Sequence, residues 1–268
     1  MAAPMKIDLE GATKFARSLV HEQAAVVLDR WSSIGRLSYK NRRDFLSEVD
    51  LEVEHNLKRG LRERFPEHGL SGEETGDENE AAEYQWLIDP IDGTKYYAAW
   101  SSLFAISVGL LHRGEPVAGV VHLAASGQSF HAHENGGVFL DDRKLDGPPL
   151  RAISEAIVNV DTPNSSELSN DERAWFESRL VALQRSVYRV RALGVGSLAA
   201  CWLASGAFDA YVDLTGYHMP QDLAAGRVIM KEAGARVEFL DSGSGPPKLL
   251  AAPPALWDEM NRILKDGI

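Results

Sequence analysis

The chain has one cysteine, Cys201, in 268 residues, which excludes an intrachain disulfide and any multi-cysteine metal centre. Cys201 sits in the apolar run Leu198 to Ala204, where a thiol reads as a buried helix residue and not as a nucleophile. Basic residues are also scarce: 28 Lys and Arg stand against 39 Asp and Glu, a formal net charge of −11. That balance argues against a nucleic-acid backbone or an anionic membrane as the main partner. No apolar run approaches membrane-spanning length, and Met1 to Glu10 lacks an apolar core of signal-peptide length, so the expectation is a soluble, cytoplasmic protein. There is no G-x-x-x-x-G-K-[ST] loop and no H-E-x-x-H, leaving a P-loop NTPase or a zincin unsupported. Repeats and low-complexity tracts are missing too. What remains is an ordinary globular composition, 44% hydrophobic, in a chain long enough to bury a substantial core as one large domain or two closely packed halves.

Apolar spacing predicts an amphipathic helix over Leu9 to Trp31, then a polar loop from Ser32 to Arg43. A second helix follows, with Ser47 and Asp50 at its start and Val53, Leu57, Leu61 and Phe65 at four-residue steps until Pro66. Gly69 to Gly76 reads as a short strand entering a glycine-flanked acidic loop, and Asp77 to Glu83 as solvated surface. Leu103 to Leu111, Val117 to Ala124 and Ser129 to Phe139 read as an antiparallel meander, with Asp141 to Lys144 as a tight turn. Composition shifts around Asp146 to Leu150, a plausible seam between an N-terminal α+β half, 1–147, and a C-terminal α/β half, 148–268, of one compact catalytic unit. Beyond it, strands at Ile157 to Val160, Val187 to Leu193, Phe208 to Leu214, Arg236 to Leu240 and Leu249 to Ala252 alternate with helices at Asp171 to Leu183, Leu198 to Ala204, Asp222 to Ala233 and Pro254 to Lys265. Gly206 and Gly234 stand where helix stops belong. The expected class is α/β (α+β), with sheets layered between helices.

The chemistry is concentrated in Trp86-Leu87-Ile88-Asp89-Pro90-Ile91-Asp92-Gly93-Thr94. A buried strand should stop where Pro90 fixes φ and biases Asp89 away from helix, and a helix should open at Gly93-Thr94. Asp89 and Asp92, with the Ile91 carbonyl between them, can face one space as an all-oxygen donor set for a hard cation. Gly93 lets a ligand approach the backbone, and the first amides of the following helix suit a phosphate. Taken alone, such a string is also what turn and cap chemistry selects. The same holds for Asp50 as a helix-dipole partner, Glu73-Glu74 as solvated loop and Asp222 as a helix cap behind Pro220. One competing motif is Gly194-Val195-Gly196-Ser197-Leu198-Ala199, which fits G-x-G-x-x-A between a strand and a helix, with Asp213 about twenty residues on, as in a dinucleotide site.

Four acidic segments, in order, resemble the inositol monophosphatase family of magnesium-dependent, lithium-sensitive phosphatases. Asp44 to Asp50 is similar to its Asp-x-x-Thr-x-x-Asp element, with Ser47 in the threonine place. Gly72-Glu73-Glu74 resembles its Gly-Glu-Glu element, and Asp89 to Thr94 its Asp-Pro-Ile-Asp-Gly-Thr string. Asp222-Leu223-Ala224-Ala225-Gly226 resembles its Trp-Asp-x-Ala-Ala-Gly element, with Gln221 replacing the tryptophan. The likeness covers most of the chain, and four segments in register are far more specific than any one.

The resemblance implies a layered αβαβα sandwich of the inositol monophosphatase/fructose-1,6-bisphosphatase type and two or three Mg2+ ions. Glu73, Asp89 and the Ile91 carbonyl would hold one ion and Asp89, Asp92 and Asp222 a second, with Asp89 bridging; Glu73 could serve a third, weaker one. Asp50 and Thr94 would position and deprotonate the attacking water, assisted by Glu73. Asp92, Gly93, Thr94, Gly196, Asp213 and Asp222 would meet the substrate. Metals held by the surplus carboxylates would reverse the local sign that otherwise repels a phosphate ester.

The implied partner is a small phosphate ester, inositol 1-phosphate or a similar polyol phosphate, and the implied assembly a homodimer. Other branches act on histidinol phosphate, fructose bisphosphate or adenosine bisphosphate nucleotides. Tyr96-Tyr97 stand where the monophosphatase branch has Asn-Phe, Lys95 resembles the nucleotide branch, and Tyr217 and His218 could contact the leaving group. An NAD-binding enzyme and an inactive metal-binding homologue remain the readings from other classes.

Overall fold

The computed structural model describes residues 7–31, 48–164, 168–216, 219–241 and 246–267. Two helices come first, α1 (Leu9–Trp31) and α2 (Glu48–Arg64). Strands β1 (Gly69–Gly72), β2 (Gly76–Glu78) and β3 (Tyr84–Asp92) follow, then the short α3 (Thr94–Ala98) and the meander β4 (Ala105–His112), β5 (Glu115–Leu123), β6 (Gln128–His133), β7 (Gly137–Leu140) and β8 (Arg143–Lys144). The second half runs β9 (Ile157–Asp161), α4 (Asn170–Ser186), β10 (Arg189–Arg191), α5 (Gly196–Ala204), β11 (Ala210–Asp213), α6 (Pro220–Glu232), β12 (Arg236–Leu240), β13 (Lys248–Ala252) and α7 (Pro254–Asp266). The expected loop 32–43, Asp44 to Ser47 of the first acidic segment, Tyr217 and His218 lie outside the described residues.

The strands form two mixed sheets, ordered β2-β1-β3-β4-β5-β6-β7-β8 and β10-β9-β11-β13-β12. Strand alternation sorts the apolar residues into layers. Ile106, Val108, Leu110 and Val120 face α1 and α2, where they meet Val20, Val27, Val53 and Leu57. Ala105, Val121, Leu123 and Phe130 face the other way, onto Leu198 and Cys201 of α5 and Val228 and Ile229 of α6. The opposite sides of α5 and α6 pack Leu203, Leu223 and Met230 against Tyr211, Leu249 and Ala251 of the second sheet. The outer face of that sheet, with Val158, Val212 and Leu250, is covered by Leu183, Trp257 and Met260 of α4 and α7. The result is the αβαβα layering expected, with α5 and α6 as the shared middle layer.

Two local expectations are corrected. Strand β3 does not stop at Pro90 but runs on to Asp92. Its ladder with β4 pairs Asp89 with Ser107 and then Asp92 with Ala105, so Pro90 falls in a bulge, where its missing N–H breaks no bond. The stretch Ser129 to Phe139 is two strands, β6 and β7, not one. They are joined by a turn in which Asn135 (φ 62°) and Gly137 (φ 86°) adopt left-handed backbone, chemistry that Asn and Gly tolerate best.

Candidate active site

Strands β1 and β3 run parallel with Gly72 beside Ile88, and the Glu73 N–H extends the ladder to the Ile88 carbonyl at 3.2 Å. Glu73 and Asp89 therefore leave the ends of neighbouring strands side by side. Asp222 reaches the same point from the first turn of α6, which starts on Pro220. Carboxylate oxygens of Glu73, Asp89 and Asp222 lie within 4.8 Å of one another. The helix-cap reading of Asp222 holds as well, though from the third helical position and not the cap itself: its Oδ2 accepts the Met219 N–H at 2.9 Å.

The middle layer determines where Asp222 falls. Gly109 and Gly119 are paired on β4 and β5, and a Cβ on either would lie 2.5 Å from Ala224 or Ala225 of α6. Gly226 meets Ala200 of α5, where an added Cβ would come within 2.9 Å. Small residues on both surfaces let the helix backbone rest on the sheet. Gln221 adds a hydrogen bond from its amide to the Ser71 hydroxyl at 2.8 Å, tying the start of α6 to β1.

Asp92 lies at the end of β3, where its Oδ2 accepts the Ser197 backbone N–H at 2.9 Å and the Ser197 hydroxyl at 2.5 Å. The N-terminus of α5 thus holds a carboxylate of the chain itself, and the positive end of its dipole favours that charge. Gly194 to Ala199 reads as a dinucleotide fingerprint, but here the amide end that a pyrophosphate would need is taken by Asp92.

Gly93 has φ 91°, and a Cβ there would meet the Leu103 carbonyl at 2.5 Å, so only glycine fits. The helix it opens has five residues, too short for a large dipole of its own. The Thr94 hydroxyl donates to the Ile91 carbonyl at 2.8 Å. Asp50 is buried in the first turn of α2, close enough to Asp89 that its charge helps raise the pKa there. Gly196 begins α5, with the Tyr211 hydroxyl 3.2 Å from where a Cβ would stand. Asp213 ends β11 on the same strand face as Tyr211, is buried, and accepts the Thr215 N–H at 2.6 Å. It lies outside the three-carboxylate cluster.

Crowded acids raise one another's pKa. Burial, then the charges of Asp92, Glu73, Asp222 and Asp50, hold Asp89 well above the usual carboxylate range. Asp92 is pushed up to about 7 by burial and by Asp222, against the opposing hydrogen bonds from Ser197. Glu73 reaches solvent at one side, yet burial of its carboxyl and the charge of Glu74 push it up to about 6, while a hydrogen bond with Asp89 works the other way. Asp89 Oδ1 is buried with no hydrogen-bond partner among the described residues. An all-oxygen cage with excess negative charge and an unsatisfied buried oxygen fits a hard divalent cation of magnesium type.

Sequence reading missed three supporting groups: Ser197, Glu54 and Asp161. Asp161 is nearly buried and accepts from Asn159, from the Gly194 N–H (both 3.0 Å) and from the Tyr211 hydroxyl (2.7 Å), pinning the turn into α5. Apart from the backbone-adjacent turn glycine, nothing in the local sequence signals that role.

The five alternating layers and the acidic cage at strand and helix ends belong to a phosphatase, a hydrolase class that the family match establishes. The chain belongs to the inositol monophosphatase family, whose profile matches residues 8–265. Among its relatives are a fructose-1,6-bisphosphatase/inositol-1-monophosphatase from Aquifex aeolicus, 30% identical over 84% of both chains, and the inositol-1-monophosphatase ImpA of Mycolicibacterium smegmatis, 34% identical over 84% of this chain and 82% of that one. A histidinol-phosphatase of Mycobacterium tuberculosis is 32% identical over 83% and 85%. The crystal structure of the extragenic suppressor protein suhB from Bartonella henselae shares the fold, with a TM-score of 0.85 at 22% identity, over 96% of this chain and all of that one. Among the described residues no helix is long and apolar enough to cross a membrane.

Proposed function

We propose that the chain is a magnesium-dependent phosphomonoesterase acting on a small polyol phosphate, inositol 1-phosphate first. The observation that carries this reading is the convergence of Glu73, Asp89 and Asp222 within 4.8 Å, with a buried Asp89 oxygen that lacks a partner among the described residues. In this reading Glu73, Asp89 and the Ile91 carbonyl would hold one magnesium, Asp89, Asp92 and Asp222 would hold a second, and Glu73 could serve a third. Bound magnesium supplies Lewis acidity toward the phosphoryl and leaving-group oxygens and acidifies water.

The chain's own groups do the rest. Thr94 gives its hydroxyl hydrogen to the Ile91 carbonyl, so its oxygen lone pairs are left to accept from the attacking water. Asp50, buried and near enough to Asp89 for its charge to be felt there, would take the released proton. Gly93 and Thr94 offer backbone amides to the phosphate, and Gly196 and Asp213 a surface for the polyol hydroxyls. No side-chain nucleophile and no phosphoenzyme are needed. Lithium inhibition, a homodimer and a cytoplasmic location belong to the same proposal, supported by the family.

The identity to a histidinol-phosphatase favours histidinol phosphate as the second reading. Phosphate release from inositol 1-phosphate, histidinol phosphate, fructose 1,6-bisphosphate and adenosine 3′,5′-bisphosphate, compared by kcat/KM with Mg2+ and with EDTA, separates these readings. Inositol 1-phosphate should lead, with activity lost in EDTA and in Asp92→Asn. A lead for histidinol phosphate would replace the substrate, whereas near-normal turnover by Asp92→Asn would sink the metal assignment.

A further inference from the structure

Behind the cage, α2 presents a buried stripe of Asp50, Glu54 and Lys58 at successive turns. Glu54 and Lys58 are almost wholly enclosed, at 0% and 2% exposure. Burying two charges is costly unless both are paired and hydrogen-bonded. Here the bonds converge on one loop, the one that carries Glu73. Glu54 accepts the Glu74 N–H at 2.8 Å, the Thr75 N–H at 2.9 Å and the Thr75 hydroxyl. Lys58 donates to the Thr75 hydroxyl oxygen and to the Gly76 carbonyl, both at 2.6 Å, and faces Glu54 at 3.4 Å. On the other side of Glu73, Gly72 has no room for a side chain, because a Cβ would lie 2.1 Å from a Glu54 carboxylate oxygen. The backbone is therefore fixed on both flanks of Glu73, whose own N–H is held by Ile88.

We propose that Glu54, braced by Lys58, is a positioning residue of the metal centre. It sets Mg2+ affinity by holding the Glu73 loop in the geometry that meets Asp89 and Asp222, without touching the ion. The inference rests on the reading of the cage as a magnesium centre. A loop flanked by Gly72 and Gly76 has much backbone freedom to lose, and ordering it at the moment of binding would weaken affinity. Glu54 orders it beforehand. A glutamine there presents one carbonyl oxygen in place of two carboxylate oxygens and turns an N–H toward the Thr75 amide, so the clamp fails without a large change of volume.

The test is calorimetric titration of Mg2+ into the wild type, Glu54→Gln and Thr75→Val, with amide hydrogen exchange over residues 73–76 and the metal-free Tm of each. Glu54→Gln should weaken Mg2+ binding by about tenfold or more, the loss expected for a group behind a ligand, and Thr75→Val by a smaller factor. Exchange at Glu74 to Gly76 should quicken in both. The Mg2+ concentration for half-maximal phosphate release should rise in step, while kcat at saturating Mg2+ falls by a smaller factor. A Glu54→Gln protein with a lowered metal-free Tm but wild-type Mg2+ affinity would make Glu54 a residue of the fold alone and overturn the proposal. If Glu54→Gln does not fold, Thr75→Val decides, and unchanged affinity there overturns it equally. Failure of the wild type to bind millimolar Mg2+ would instead remove the underlying metal reading, a result visible before any variant is compared.

Discussion

A carboxyl group enclosed beside other carboxylates is more stable protonated than ionised, and this governs the site at the level of single residues. Glu73 at about 6 and Asp92 at about 7 lie above the value near 4 of an unfolded chain, and Asp89 is also raised well above it. The folded, metal-free protein thus binds more protons than the unfolded one, and its stability falls as pH rises from about 4 through about 7. A cation that takes the ionised form reverses this, in competition with protons. The rise in Tm caused by Mg2+ should therefore be large at about pH 8 and shrink toward about pH 5. Scanning calorimetry checks it, and equal shifts at both values would contradict the cage. Asp89→Asn should lower phosphate release on the order of 10³-fold, the effect of losing several kcal/mol of Lewis-acid stabilisation, yet leave the metal-free Tm at about pH 8 at or above wild type. The ligand segments are readable from sequence because Asp, Glu, Gly and Pro stand at fixed short spacings. Ser197 is not, since it meets Asp92 from 105 residues away, and Glu54-Lys58 looks like a surface ion pair until its burial is known.

At the scale of elements, the site depends on how closely α6 approaches the first sheet. Helix and strand periodicity predict α6 and β5, but the contact is set by Gly109 and Gly119, which the alternation of a strand does not explain. Strand glycines usually cost stability, by about 0.5–1 kcal/mol relative to alanine. At Gly119 the sign reverses, because a Cβ would sit 2.5 Å from the Ala225 Cα, a backbone atom that can move only with the whole helix. Overpacking of this kind costs about 1–3 kcal/mol, which outweighs the gain. Gly119→Ala should lower Tm by several degrees and, by lifting α6, weaken Mg2+ binding through Asp222 although the residue touches no ligand. A variant more stable than wild type with unaltered Mg2+ affinity would show that the seat is not what places Asp222. Pro90 carries the same lesson about legibility: a proline ends a strand by default, and only the bulge opposite Ser107 and Ala105 lets β3 continue to Asp92.

For the whole molecule the question is whether the seam near Asp146 separates two folding units. The cage draws Glu73 and Asp89 from one side of it and Asp222 from the other, and Ser197 reaches across to Asp92. Cores cross the seam as well. Ala105, Val121, Leu123 and Phe130 of the first sheet are covered by Leu198, Cys201, Val228 and Ile229, and the same two helices pack Leu203 and Met230 against the second sheet. We therefore propose that 1–147 and 148–268 are halves of one cooperative unit and not independent domains. A fragment ending at 147 would expose the inner face of its sheet to water, and burial of each large apolar side chain is worth about 1.5–3 kcal/mol, so a few such losses exceed a typical margin of stability. Urea unfolding followed by tryptophan fluorescence and by far-ultraviolet circular dichroism should give coincident transitions, shifted together by Mg2+. The fragment 1–147 should show no cooperative transition. Two separated transitions in the full chain, only one of them moved by Mg2+, would mean that the middle layer belongs to one half alone and that the cage closes across a true domain interface.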